Sequence, residues 1–444
     1  LVFVKPCMKK ITEFIRRTTW PDLPGEVQHQ VKRCLLDSLG SLLAGFETPV
    51  TKIMTSFACQ NFSGSEATIL VNGRKASAVG AALANGFAAN ALDIDDGYRL
   101  AKGHPGACLL PVLLAAVETK SGITGKAFLA SLVIGYEIGI RAALIQHQRL
   151  SSYHASGSWG AIAGAAVAGR LLGLDSRQIW SAMGVAEYHA PLALMMKGIE
   201  NPSMVKDSIG WGAMVAMSSA LLAQKGFTGI EPLFSEGQGE NLAAELGSIY
   251  RMLDLYFKPY AACRWAQPAI KAALQVFEKH RLSVQQIKRI IVTTFAAAQA
   301  LNCGPPQNTE QAQYNLAFPI AAALVDGEVG PRQVLPPRIF AKDLLELAAK
   351  VSVDMDPDMD KAFPVQTLAQ VSIDTHDGQS FSSDLTGAPW EPPHGLPSDQ
   401  ELLIKFHSLA SPILGAARTR ELAGLIMQLD AQGSLDSVMR LCVP

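Results

Sequence analysis

The stretch ALDIDDGYRLAKGHPGACLLPVLLAAVE, residues 91–118, sets Asp93, Asp95 and Asp96, then His104, between two apolar segments. His104 precedes Pro105, and proline favours the first turn of a helix, so His104 is expected at or near the N-cap of PGACLLPVLLAAVE. The positive end of that helix disfavours imidazolium and attracts an anion such as a substrate carboxylate. A neutral imidazole beside a bound carboxylate is equipped for general acid or base work. Asp93 and Asp96 share a face if the preceding helix runs on through them, one of them orienting the imidazole or holding a hydroxyl. Asp95 is then directed elsewhere, as a structural residue.

The same design recurs at three further helix entrances. His154 stands before the small-residue helix of SSYHASGSWGAIAGAAVAG, and Lys206 before that of NPSMVKDSIGWGAMVAM. Lys258, Tyr260 and Arg264 lie in YFKPYAACRWAQPAI. A lysine entering so apolar a segment is costly unless its ammonium meets an anion. Each residue alone has an ordinary structural reading as a satisfied cap histidine, a snorkelling cation or a loop-forming aspartate. Their recurrence points to a pocket for a small-molecule carboxylate.

Other chemistries lack their spacing. The chain contains no G-x-x-x-x-G-K-[ST] loop, H-E-x-x-H pair, G-x-S-x-G elbow or G-x-G-x-x-G at a strand–helix junction. Its 38 Lys+Arg against 39 Asp+Glu leave no basic stripe for nucleic acid and no polybasic segment for a membrane surface. The seven cysteines are scattered without a C-x-x-C, which argues for a reducing compartment and against structural zinc or iron–sulfur. LVFVKPCMKK lacks the pattern of a signal peptide, so a cytoplasmic protein is expected, with Met8 as its start and Leu1 to Cys7 as an upstream tail. The uncharged window SIGWGAMVAMSSALLAQ, 208–224, falls short of a membrane span and is expected to be a helix buried all round.

The elements that must position these residues fall into two regimes. Up to about residue 276 the pattern is helical, with 3.6-residue periodicity in LPGEVQHQVKRCLLDSLGSLLAG and KAFLASLVIGYEIGIRAALI. One strand-like interruption, ATILVNGRKA, carries an Asn-Gly turn, and Ser77 is the expected N-cap of the helix after it. Beyond residue 282, IKRIIVTTF, KVSVDMD and TLAQVSIDTHDGQSFSSDL are β-branched strands, the last a hairpin, with one helix expected over 310–327. The expected fold is mainly α: a large all-helical domain over 8–276, a smaller α+β lid domain over 277–397, and a helical segment over 398–444 returning to the first.

In order along the chain, LLDSLGSLLAG, NGFAANALDIDD, GHPGACLLPVLLAAVE, GYEIGIR, YHASGSWGAIAGAAVAGRLLGL, MVKDSIGWGA, KPYAACRW and FPIAAALVDGEV resemble the MmgE/PrpD family. That family includes 2-methylcitrate dehydratase, cis-aconitate decarboxylase and iminodisuccinate epimerase. The resemblance implies a homodimer whose site lies between the two domains and works without metal or organic cofactor. It places the family's acidic position on Asp93, its catalytic histidines on His104 and His154, and its lysines on Lys206 and Lys258.

Four positions depart from the pattern. The decarboxylases carry Thr where this chain has Gly97, His where it has Cys263, and an active-site Tyr aligned with Phe318; many dehydratase-like members carry His at Gln267. These departures weigh against decarboxylation. The leading expectation is a hydro-lyase on a small hydroxy di- or tricarboxylate. Lys206, Lys258 and Arg264 would neutralise carboxylates, and His104 and His154 would act as base and acid on opposite sides of the reacting carbon. The alternative is an isomerase or epimerase, which uses the same pair, or a decarboxylase, on a related polycarboxylate; a non-catalytic ligand-binding helical dimer is the alternative of another class.

Overall fold

The structure, a computed structural model, describes residues 6–150, 152–301, 303–392 and 395–444. Of the expected upstream tail, residues 1–5 lie outside the described residues. The fold is mainly α with a smaller α+β region.

The helix Gly25–Gly45 buries Val27, Val31, Leu35, Leu39 and Leu42, the stripe its periodicity predicts. The helix Ala78–Asn90 follows the short antiparallel pairing of Ala67–Thr68 with Lys75–Ala76, and Ser77 caps it by accepting from the Gly80 amide at 3.2 Å. This helix packs against Ile209–Gln224 so closely that a Cβ on Gly86 would lie 2.9 Å from the Gly210 Cα. That backbone approach fixes the start of the 209–224 helix beside the loop that carries the aspartates. The helix is not buried all round: Trp211 and Leu222 are 38% and 41% exposed, so its apolar residues reach the surface as well as the core. The helix Gly125–Arg149 is long and apolar enough to cross a membrane, but 94% of its apolar window is buried inside the protein.

In the sheet region, Ile287–Thr294 pairs in parallel with Val351–Met355 and antiparallel with Leu368–Thr375, so Val292 lies between Val353 and Val371. Ser380–Ser382 closes the expected hairpin on Leu368–Thr375, and the helix Gln267–Lys279 covers the sheet. The helix expected over 310–327 is two pieces, Thr309–Gln313 and Ala317–Asp326. Asn315 accepts from the Phe318 amide at 2.8 Å and starts the second helix afresh, which leaves Tyr314 at the break. At the C-terminus, Asp399–Leu414 carries a Ser398/Glu401 capping box and packs on Gly25–Gly45. There Lys405 donates to Asp37 at 2.5 Å and to the Ile94 carbonyl at 2.6 Å, tying the last helices to the acidic loop.

Candidate active site

The helix Ala78–Asn90 stops before the acidic residues, and Asp93 takes a left-handed φ of 51°. Asp93 and Asp96 therefore do not share a helical face, and the three carboxylates diverge. Asp93 accepts from the Lys258 ammonium at 2.8 Å. Asp96 turns away to the Tyr136 hydroxyl and the Gly106 amide. Asp95, expected to point elsewhere, lies within ion-pair distance, 3.0 Å, of His104 Nδ1. The Asp96 carbonyl, also 3.0 Å from Nδ1, completes the hold on that side of the ring.

His104 is the N-cap residue of Pro105–Glu118, as the sequence predicts. Its Nε2 lies 3.4 Å from Asp93 and 3.3 Å from Asp207. Burial opposes a charge on this ring and Lys258 pushes the same way, but the Asp95 carboxylate, with Asp207 adding to it, raises the pKa to about 9. The expected neutral imidazole is thus corrected to an imidazolium, because flanking carboxylates outweigh the positive helix end. Asp95 is buried, yet His104 and then Lys258 bring it down to about 2.

A cavity of about 180 Å³ opens beside this cluster, where the helical region meets the sheet region. It is smaller than the roughly 300–1,000 Å³ of drug-sized sites, which limits the ligand to a small molecule. Asp93, His104 and Asp207 line one part of it, with cations supplied by Arg99, Lys102 and Arg264. Tyr153, Tyr256 and Tyr314 add phenols; Met195, Met196, Ile199, Trp265 and Phe363 make it largely apolar elsewhere.

The residues expected from the sequence are not all brought to this cavity. Asp93, His104 and Arg264 line it; His154, Lys206, Lys258 and Tyr260 are not among the described lining residues. Lys258 stands behind Asp93, its charge sustained against burial by Asp93 and Asp95. Lys206 meets no carboxylate within ion-pair distance among the described residues; its ammonium donates to Gln313 at 2.6 Å and sits 5.1 Å from the Tyr314 ring centre. Arg264 is engaged through Nε and Nη2 by Glu391 and stacks over Tyr256, so part of its charge is balanced within the protein. Tyr260 is half-buried, and its carbonyl accepts from Gln267. His154 is buried with Nδ1 unpaired and Nε2 3.5 Å from Ser152. Its neighbour Tyr153 reaches the cavity in its place.

The four departures acquire local causes. A Cβ on Gly97 would fall 2.2 Å from Tyr256 Cζ and Oη, so the end of that phenol fills the space a larger residue would take. Cys263 does line the cavity, but burial, with Asp93 adding, pushes its thiol up to about 12 and keeps it protonated. Gln267 spends its amide nitrogen on the Tyr260 and Ala262 carbonyls. Phe318 is a fully buried core residue, and Tyr314, at the helix break four residues earlier, brings a phenol to the cavity. The expected absence of a phenol is thereby corrected.

Asp207, Tyr256, Tyr314, Arg99, Lys102 and Glu391 escaped the sequence reading. Asp207 had a signal, a carboxylate next to Lys206 at the same helix entrance; Arg99 and Lys102 stand in the stretch that carries His104, and Tyr256 heads the one that carries Lys258, while Tyr314 and Glu391 arrive only through long-range packing. Donor atoms of Asp93, Asp95 and His104 lie within 4.8 Å of one another, a spacing that suits a metal ion. Their partners compete for that role: Lys258 already supplies a cation on Asp93, and Asn90 donates to Asp95.

A model of the MmgE/PrpD N-terminal domain matches residues 9–245, and one of the C-terminal domain matches residues 260–430. Similar proteins include the cis-aconitate decarboxylase-like protein oryM of Aspergillus oryzae, 26% identical over 95% of this chain and 94% of its own length. Cis-aconitate decarboxylase of Aspergillus terreus is 23% identical, with 95% and 92% covered, and that of Homo sapiens is 25% identical, with 92% and 88% covered. With both family domains matched in sequence order around one cavity, this chain belongs to the MmgE/PrpD family.

Proposed function

We propose that this protein is a cofactor-independent lyase of a small polycarboxylate, in which His104 donates a proton to the substrate. The observation that carries the proposal is His104 in the cavity lining, its Nε2 beside the lining residues Asp93 and Asp207, with a pKa raised to about 9 by flanking carboxylates. An acid that keeps its proton at neutral pH serves the breaking of a C–O bond by protonating the departing hydroxyl, a contribution of about 10²–10⁴ in rate. Arg99, Lys102 and Arg264 provide charge for substrate carboxylates, and a preorganised cation costs no reorganisation as negative charge develops next to a carboxylate. Dehydration of a hydroxy di- or tricarboxylate is the reaction these features support best. Epimerisation needs two proton-transfer groups on opposite faces of one carbon, and His154 lies outside the lining that would have to supply the second.

A second lyase reading, decarboxylation, is favoured by two observations. The apolar wall of Met195, Met196, Ile199, Trp265 and Phe363 suits a carboxylate that loses its charge as CO₂. Tyr256 and Tyr314 bring hydroxyl groups to the cavity despite Gly97 and Phe318; two of the similar proteins named above are cis-aconitate decarboxylases. The test is incubation of the purified protein with citrate, 2-methylcitrate and cis-aconitate, followed by enoate absorbance, NMR and CO₂ release. Turnover of one of them that falls at least 100-fold in His104→Ala is expected. Wild-type turnover in that variant, or none of the three consumed by the wild type, would overturn the proposal.

A further inference from the structure

We propose that Asp207 is the catalytic base of this site, taking the proton alpha to the substrate carboxylate while His104 protonates the departing hydroxyl. The inference rests on the dehydration reading and replaces His154 as the second proton-transfer group.

Position argues for it first. Asp207 lines the same cavity as His104, is 3% exposed, and places Oδ2 3.3 Å from Nε2, the ring nitrogen that also meets Asp93, another lining residue. The other carboxylates around the ring are engaged elsewhere as well: Asp93 by Lys258, Asp95 by Asn90, Asp96 by Tyr136 and Gly106. Among the described residues, His104 is the only cationic side chain within ion-pair distance of Asp207. Lys206, its neighbour in sequence, is held by Gln313 and Tyr314 instead.

The backbone argues for it independently. Lys206 and Ser208 on either side of Asp207 have φ values of 48° and 55°, a left-handed region that costs any residue with a Cβ. The segment is pinned in this shape by the Gly157 amide, which donates to the Asp207 carbonyl at 3.0 Å. A Cβ on Gly157 would lie 2.2 Å from the Ser208 carbonyl oxygen, so the approach tolerates nothing larger than glycine. Two left-handed residues in three are a high cost for a loop, and what they achieve is an aspartate placed in the cavity lining at the entrance of the 209–224 helix.

The cycle closes. The Asp207 carboxylate takes the alpha proton, and the C–H electron pair becomes the new C=C bond as the C–O bond breaks. The hydroxyl leaves with the His104 proton as water. Asp207 is then a neutral acid and His104 a neutral imidazole, and transfer of the proton from Oδ2 to Nε2 restores both. With both groups on one wall, hydrogen and hydroxyl depart from the same face of the substrate.

Burial, against the pull of His104 and with Asp93 adding, raises Asp207 to about 6. The base is needed deprotonated and the acid protonated, so activity should rise through about pH 6 and fall through about pH 9. The charged groups facing the pair are Asp93, Asp95, Lys206 and Lys258, with Tyr314 and Cys263 nearby; Tyr153 and Cys108, which also feel the charge of Asp207, are held well above their ordinary values by burial. Asp95 titrates near 2 and Cys263 near 12, and Tyr314 is raised well above its ordinary value by burial, so these three stay fixed across that range. Asp96, raised to about 7, does titrate within it but faces Tyr136.

The experiment compares wild type with Asp207→Asn and Asp207→Glu, using citrate and 2-methylcitrate as substrates and ¹⁵N-histidine NMR as a readout independent of turnover. Asp207→Asn should lower kcat at least 100-fold with KM within a few-fold, abolish the acidic limb of the pH profile and shift the His104 titration downward. Asp207→Glu should recover part of kcat. An unshifted His104 titration, or an unchanged acidic limb in Asp207→Asn, overturns the assignment to Asp207. A wild type that dehydrates neither acid overturns the dehydration reading and with it the base, even where the titration shows the two groups coupled.

Discussion

Gly97→Ala isolates the contact by which this chain differs most visibly from the decarboxylase pattern. The added Cβ would sit 2.2 Å from Tyr256 Cζ and Oη and 2.7 Å from Cε2. Carbon atoms rest about 3.5–4.0 Å apart, so the ring tip must withdraw by more than ~1 Å. It has little freedom to do so. The Gly97 and Tyr256 backbones exchange hydrogen bonds at 3.0 and 2.9 Å, and the Arg264 guanidinium stacks on the ring at 5.0 Å. Overpacking of this kind costs about 1–3 kcal/mol, and if it is expressed as displacement of the phenol in the transition state, kcat/KM falls roughly 5- to 150-fold. The assay is a double-mutant cycle with Tyr256→Ala, read in kcat/KM and in denaturation midpoint. In the Tyr256→Ala background the clash has no partner, so Gly97→Ala should be neutral within about 0.5 kcal/mol. An equal penalty in both backgrounds would refute the reasoning, since the cost would then come from the loop and not from the ring.

Further outcomes follow from the buried charges. Lys405→Met strands the Asp37 carboxylate and frees the Ile94 carbonyl, and should destabilise the protein by about 3–5 kcal/mol in chemical denaturation. Lys258→Ala removes the cation hydrogen-bonded to buried Asp93 and leaves it only His104, 3.4 Å away, with a smaller loss of stability than Lys405→Met and a fall in turnover. The His104 pKa is raised above its unfolded value of about 6.5, so its contribution to stability is fully present below that pH and is lost as pH rises through about 9. Subtracting the pH–stability curve of His104→Gln from that of wild type should reveal on the order of 3 kcal/mol at pH 6 and almost none at pH 10. Finally, Cys263 lines the cavity as a thiol that titrates at about 12, so iodoacetamide at pH 7.5 should leave activity intact; rapid inactivation traced to Cys263 would contradict its burial.

Helical periodicity, the caps at Ser77 and His104, the change of regime beyond residue 282 and the hairpin after Leu368 were legible in the sequence, because each is a short-range property of backbone and pattern. So was the acidic loop beside His104, since an aspartate cluster at a helix entrance is unusual in its own right. What sequence could not supply was the direction of the polar side chains in the site. The three aspartates share a loop of four residues, and the left-handed turn at Asp93 sends one to Lys258, one to His104 and one to Tyr136. The charge on His104 depends on carboxylates that arrive from 93, 95 and 207, and a pKa is set by burial and distance, which no spacing along the chain encodes. Likewise Tyr256 stands in the space above Gly97, and Tyr314 reaches the cavity because a helix breaks at Asn315. Local pattern determined which elements form and where the polar residues enter them; the protonation states and the composition of the cavity wall were decided only by the packing of segments distant in sequence.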